Sequence, residues 1–255
     1  MAGVARRSSS GSRPHGRHFL RSRRLAEALV ADAGIGPRDL VLDLGAGAGA
    51  LTRELARRAG RVWAVELDAA LAADLRRRFA GTSVRVIHAD ATRLRWPDEP
   101  FKVVASVPFD RTTAILRALL DDPSVPLVAA DVVVQWELAV KRAAVWPSTL
   151  ASAYWGAWYR SAVVRRLPRC AFAPEPTVDA GVLRIERRTE PLVAEPEHAA
   201  YRRFVRRGFA AGRPAVAPLA FKRLGRDLGF APNARARDLD PVQWAALFRA
   251  VRTTV

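Results

Sequence analysis

The chain has 255 residues, half of them apolar, and a single cysteine. That length allows one core domain with a small appendage, and the lone Cys170 excludes an internal disulfide framework and a cysteine-clustered zinc site; we expect it to fill core space. A formal charge of +17 points to a polyanionic partner, nucleic acid ahead of an anionic membrane surface. Only Lys102, Lys141 and Lys222 are lysines, so the choice of arginine reflects a GC-rich genome, but codon bias does not explain the surplus of charge.

Residues 1–18, MAGVARRSSSGSRPHGRH, are basic and Ser-rich and lack the apolar stretch of a signal peptide. No run long and apolar enough for a membrane span follows. The expectation is a cytoplasmic protein with a mobile basic N-terminal tail over 1–18.

From Leu20 to Ala33 the apolar residues Leu25, Ala28 and Leu29 recur at helical spacing, and Gly34 to Pro37 ends the pattern. Asp39 to Leu44 is a short apolar run that ends in GAGAGALT and leads into an amphipathic stretch from Leu51 to Ala59, which reads as strand, glycine turn and helix. The unit repeats: strand over Arg61 to Leu67, helix over Ala69 to Phe79, strand over Val84 to His88, strand over Phe101 to Ala105, helix through Arg117, strand over Leu127 to Val134. Such alternation predicts an α/β fold with a parallel sheet covered on both faces.

Beyond Trp146 the rhythm changes, and Tyr159 to Val164 with Val182 to Glu186 read as an antiparallel hairpin at the sheet edge. Thr189 to His198 reads as a linker. Three helical patterns follow, over 201–210, 216–228 and 241–251, in a lobe carrying Arg202, Arg203, Arg206, Arg207, Arg213, Arg223 and Arg226. The expected division is a catalytic domain over 19–189 and a helical RNA-binding domain over 190–255. Trp136, Trp146, Trp155 and Trp158 are expected to pack in the core or lobe.

Gly45, Gly47 and Gly49 follow a strand and open a helix, which lets the backbone approach a ligand closely. The alternative is a tight turn with no ligand. Glu66, ending the second strand, is placed to accept ribose hydroxyls, and Asp90, after the third, to meet an adenine amine. Asp43 belongs to the same strand-end row, with a loop-capping role as its alternative. A dinucleotide oxidoreductase would carry G-x-G-x-x-G, whereas this chain has G-x-G-x-G with Ala50 next, and that spacing favours S-adenosylmethionine.

The fourth strand ends in Ser106-Val107-Pro108-Phe109. An exocyclic adenine amine is a poor nucleophile, and a short polar side chain with a carbonyl held off the helix by proline would accept its two hydrogens. Phe109 would stack on the flipped base. An ordinary turn with a buried Phe is the alternative.

Taken together, LDLGAGAGALT, WAVELD, HADATRL, SVPF, QWELAVKR (Gln135 to Arg142) and FAPEPTVDAGVLRIERR (Phe172 to Arg188) resemble the rRNA adenine N6-methyltransferases. That family comprises the Erm enzymes of macrolide-lincosamide-streptogramin B resistance and the KsgA/Dim1 dimethyladenosine transferases. The likeness covers roughly residues 17 to 190, and F-x-P-x-P-x-V-D is its most specific block. It implies a seven-stranded Rossmann-like S-adenosylmethionine methyltransferase sheet with a small α-helical C-terminal domain. The activity implied is methyl transfer to the N6 of one adenine in 23S rRNA by a monomer that needs no metal and no general base.

Carried over by position, His18, Leu20, Asp43, Gly45, Gly47, Glu66, Leu67, Asp90, Ala91 and Ser106 would hold the cofactor. Ser106, Val107, Pro108 and Phe109 would hold the adenine, and Phe172 would cover its other face. The basic tail and arginine-rich lobe favour the Erm branch over a small-subunit dimethyladenosine transferase; an RNA-binding factor that lost catalysis is the third reading. Two departures stand out. Ser106 replaces the family's usual Asn, and Arg17-His18-Phe19-Leu20 replaces its usual Gln-Asn-Phe-Leu, so His18 is expected to substitute in gripping the methionine end.

Overall fold

A computed structural model describes residues 18–252, so the expected tail, up to residue 17, lies outside the described residues. The chain enters through β1 (Phe19–Leu20) and α1 (Arg23–Asp32). Ser22 starts α1 where the periodicity suggests, its Oγ accepting from the Leu25 N–H at 3.3 Å. There follow β2 (Leu40–Leu44), α2 (Ala50–Leu55), β3 (Arg61–Glu66), α3 (Ala69–Arg78), β4 (Val84–His88), β5 (Phe101–Ser106), α4 (Thr112–Leu120) and β6 (Leu127–Gln135). All five residues of β2 are buried, as a central strand covered on both faces requires.

After β6 come α5 (Trp136–Ala143), α6 (Leu150–Trp155), β7 (Tyr159–Leu167), β8 (Phe172–Ala173) and β9 (Ala180–Arg187). The main sheet has seven strands in the order β4-β3-β2-β5-β6-β9-β7. Only β9 runs against its neighbours, inserted between β6 and the edge strand β7. The order reverses between β2 and β5, and in open α/β sheets the strand ends on either side of such a switch form the ligand crevice. A second sheet of two strands pairs β1 with β8, Phe19 opposite Ala173 and Leu20 opposite Phe172. Two-residue strands have no period to read, and this pairing was not visible in the sequence.

The C-terminal part contains α7 (His198–Ala210), α8 (Pro218–Leu228) and α9 (Pro241–Arg252). One buried cluster joins Leu183 and Ile185 of β9 to Tyr201 and Val205 of α7 and to Trp244 and Phe248 of α9. Tyr154, Trp158, Tyr201 and Phe248 form its aromatic seam, with ring centroids 5.2–6.1 Å apart; such contacts add about 0.5–1.5 kcal/mol each beyond burial. The segment read as a linker is packed: Val193 is buried, and the Leu192 N–H donates to the Ala157 carbonyl at 2.8 Å.

Two expectations are corrected. Cys170 is exposed, because it lies in a short turn between β7 and β8 outside the sheet, and so fills no core. Trp155 and Trp158 are buried and Trp136 is half-buried, but Trp146 is 58 % exposed. Its Nε1 donates to the Asp238 carbonyl at 3.1 Å, which holds the indole edge while leaving its face in solvent. Among the described residues, no helix is long and apolar enough to cross a membrane.

Candidate active site

The site is built at the β2/β5 switch. Gly45, Gly47 and Gly49 all have positive φ, at 74°, 54° and 75°, which only glycine adopts readily, so the chain leaving β2 curls back on itself before α2 begins. This loop is tied to the next strand by Glu66. One carboxylate oxygen accepts the Gly47 N–H and the other the Asp68 N–H, each at 2.8 Å. Glu66 thus stands at the end of β3 with both oxygens oriented by backbone donors.

A cleft of about 220 Å³ opens here. Gly45, Gly47, Glu66, Leu67, Asp90, Ala91, Ser106, Val107, Pro108 and His18 line it, which brings together most of the expected residues from four strand ends and the N-terminal segment. Leu67 is 54 % exposed, an apolar side chain presented to the cleft. A smaller adjoining cavity is lined by His18, Leu20, Asp43, Gly45 and Ser106.

Asp43 lies beneath the loop, 1 % exposed, with its Oδ2 accepting the Thr52 hydroxyl at 2.6 Å. Burial pushes its pKa up to about 7, with the nearby Glu66 charge acting in the same direction and the Thr52 hydrogen bonds opposing. Asp90 is held the opposite way. Its Oδ1 accepts both the N–H and the hydroxyl of Thr92, at 2.8 and 2.7 Å, and its Oδ2 pairs with Arg111 at 2.7 Å. The Thr92 hydrogen bonds, ahead of the Arg111 charge, hold its pKa below the usual carboxylate range.

Ser106 closes β5, and Val107 anchors the turn with its buried side chain. The Pro108 carbonyl is taken up by the Arg111 N–H and the Thr112 hydroxyl, which start α4. A Cβ on Gly45 would come within 3.3 Å of the Pro108 ring, so the glycine loop and the acceptor turn are in contact. Phe109 is half-buried, with His18 5.3 Å from it and Phe172 6.2 Å away edge-on. Phe172 is fully buried, so the structure does not bring it face to face with Phe109 across a base-sized gap. It buttresses Phe109 instead.

Sequence reasoning missed Arg111, Phe19 and Thr92. Arg111 sits two residues beyond the acceptor motif, and only the fold carries it to Asp90. Phe19 covers the glycine loop so closely that a Cβ on Gly47 would lie 2.7 Å from its ring. Among the described residues, no group of His, Cys, Asp and Glu is placed to hold a metal ion.

A mainly parallel seven-stranded sheet with a G-x-G-x-G loop, an acid closing the next strand and a polar acceptor turn across the switch defines the Rossmann-like methyltransferase class. Residues 9–217 match the family model for ribosomal RNA adenine dimethylase, and the chain belongs to that family. It is 36 % identical to an rRNA adenine N-6-methyltransferase of Corynebacterium diphtheriae, over 79 % of this chain and 78 % of that one. It is also 36 % identical to the mycinamicin-resistance protein MyrB of Micromonospora griseorubida, over 93 % of this chain and 78 % of that one. The solved structure of the 23S rRNA methyltransferase ErmE superposes with a TM-score of 0.78 at 29 % identity, covering 92 % of this chain and 99 % of that one.

Proposed function

We propose that this protein methylates the N6 of an adenine in 23S rRNA with S-adenosylmethionine and thereby protects ribosomes from macrolide-type antibiotics. The observation that carries this reading is the near-full-length similarity to MyrB and ErmE, proteins named for mycinamicin resistance and 23S rRNA methylation.

The residues of the cleft fit the cofactor. Glu66 is fixed by backbone donors at the position where a ribose diol is bound in such sheets. Leu67 and Ala91 offer apolar surface for a purine, and Asp90 an acceptor for its amine. Leu20 and the buried Asp43 flank the adjoining cavity, beside Gly45. When bound, the cofactor supplies an electrophilic methyl group on a sulfonium.

The chain's own task is to make a delocalised amine attack in line. The Val107 carbonyl and the Ser106 hydroxyl accept the amine's hydrogens and draw its lone pair out of conjugation. Pro108 fixes the turn that presents them, and Phe109 stacks on the extruded base, an arrangement worth about 1–3 kcal/mol. Arg203, Arg206, Arg207, Arg213, Arg223 and Arg226 are exposed and supply phosphate contacts in the helical lobe over 190–255. Producing the protein in a macrolide-sensitive bacterium tests the reading: the inhibitory concentration should rise many-fold with the wild type and not with Phe109→Ala.

A further inference from the structure

His18 stands just before β1 and lines both cavities, a position it shares with Phe19, Gly45 and Ser106. Its Nδ1 lies 2.8 Å from the carbonyl oxygen of Pro174, just past β8, and its ring is tilted 41° against Phe109. A carbonyl oxygen can only accept, so in the neutral ring Nδ1 carries the hydrogen and Nε2 keeps its lone pair. The contact with Pro174 therefore fixes the tautomer and leaves a nitrogen acceptor on a ring that lines both cavities and stands beside Phe109.

We propose that His18 is a catalytic residue of the acceptor site, whose Nε2 shares with the Ser106 hydroxyl one N6 hydrogen of the target adenine and takes the proton released on methylation. This rests on the reading that the adenine docks on Ser106 to Phe109. The N6 lone pair forms the bond to the methyl carbon as the methyl–sulfur bond breaks, and the electron pair of that bond stays on sulfur. N6 then carries one proton too many; it passes to Nε2, and the imidazolium releases it to solvent. As N6 becomes more acidic along this path the hydrogen bond to Nε2 strengthens, so it stabilises the transition state more than the ground state. The chemistry suits this chain in particular, because the Ser106 hydroxyl is a weaker acceptor than the carboxamide it replaces.

Other charged groups share these cavities: Asp43, Glu66, Asp110, and Asp90 paired with Arg111. On the β8 side Glu175 is paired with Arg169. Asp43 is the one that would confuse a pH profile, since burial raises it to about 7.

The test combines single-turnover methylation of 23S rRNA at saturating S-adenosylmethionine, over the range in which histidine titrates, with cofactor affinity by calorimetry and the His18 tautomer by nitrogen-15 NMR. His18→Gln and His18→Ala should lower the rate about tenfold or more and lose the acid limb of the profile. Asp43→Asn should keep that limb, cofactor affinity should stay within about twofold in the His18 variants, and the wild-type ring should carry its hydrogen on Nδ1. An unchanged rate, a matching loss of cofactor affinity (which would make His18 a methionine grip), or a hydrogen on Nε2 overturns the proposal. Phe109→Ala separates the two levels: if it collapses turnover while the His18 variants do not, only the His18 role fails. If neither matters, the docking of the adenine here fails as well.

Discussion

The Gly47 N–H donates to the Glu66 carboxylate at 2.8 Å, so the acid that ends β3 also shapes the glycine loop that follows β2. Its other oxygen holds Asp68, the cap of α3. One buried side chain therefore fixes two of the loops around the cleft before any ligand arrives. A hydrogen bond to a charged group contributes about 1.5–3 kcal/mol. Glu66→Ala is expected to weaken S-adenosylhomocysteine binding at least tenfold and to lower the melting temperature, checked by calorimetry and thermal unfolding. Unaltered binding would remove Glu66 from the cofactor site.

Gly47→Ala acts on the same loop from the other partner. Its φ of 54° and the Phe19 ring 2.7 Å from the new methyl leave no room for a side chain. The left-handed conformation alone costs about 1–2 kcal/mol. Adding Phe19→Ala should restore part of the lost stability, read as a non-additive double-mutant cycle in denaturant.

Asp43 gives the fold a pH signature. Its folded pKa of about 7 lies above the ordinary aspartate value of 3.8, so the neutral acid gains weight in the folded state. Its stabilising contribution is complete below about pH 4 and is lost as pH rises to about 7, a change on the order of 4 kcal/mol at most. Asp43→Asn keeps an acceptor for Thr52 and has nothing to ionise. The stability of the variant relative to wild type should therefore increase with pH across that window and level off above it.

Ser106→Asn restores the family's usual residue at the end of β5. A carboxamide reaches further than a hydroxyl, and the variant is expected to add methyls faster and to raise the dimethyl share of the product. Mass spectrometry of digested RNA reads both.

Phe109→Ala removes the base platform but not the cofactor loops. Turnover should fall by about tenfold or more while S-adenosylhomocysteine affinity stays within about twofold, given a stacking contribution of about 1–3 kcal/mol. An equal loss of both would count against base stacking.

Much of this was legible before the fold was known. The β2 run LVLDL, the three glycines, Glu66 and Asp90 are local signals, because strand period, positive φ and strand-end acids are written in adjacent residues. What was not legible is what depends on chain segments far apart. Leu20 and Phe172 pair across more than 150 residues in strands too short to have a period. Arg111 reaches Asp90 only because α4 starts beside the turn after β4. Cys170 looked like core because cysteine usually is buried, and the turn between β7 and β8 placed it in solvent. Trp146, in the segment between α5 and α6, is exposed although large aromatics commonly pack inside.

The most direct measurement is to incubate the protein with labelled S-adenosylmethionine and protein-free 23S or 16S rRNA, then map any modified base by primer extension and mass spectrometry. Label confined to the N6 of one adenine of 23S rRNA is the expected result. Label on 16S rRNA alone, or RNA binding with no label on either, would contradict it.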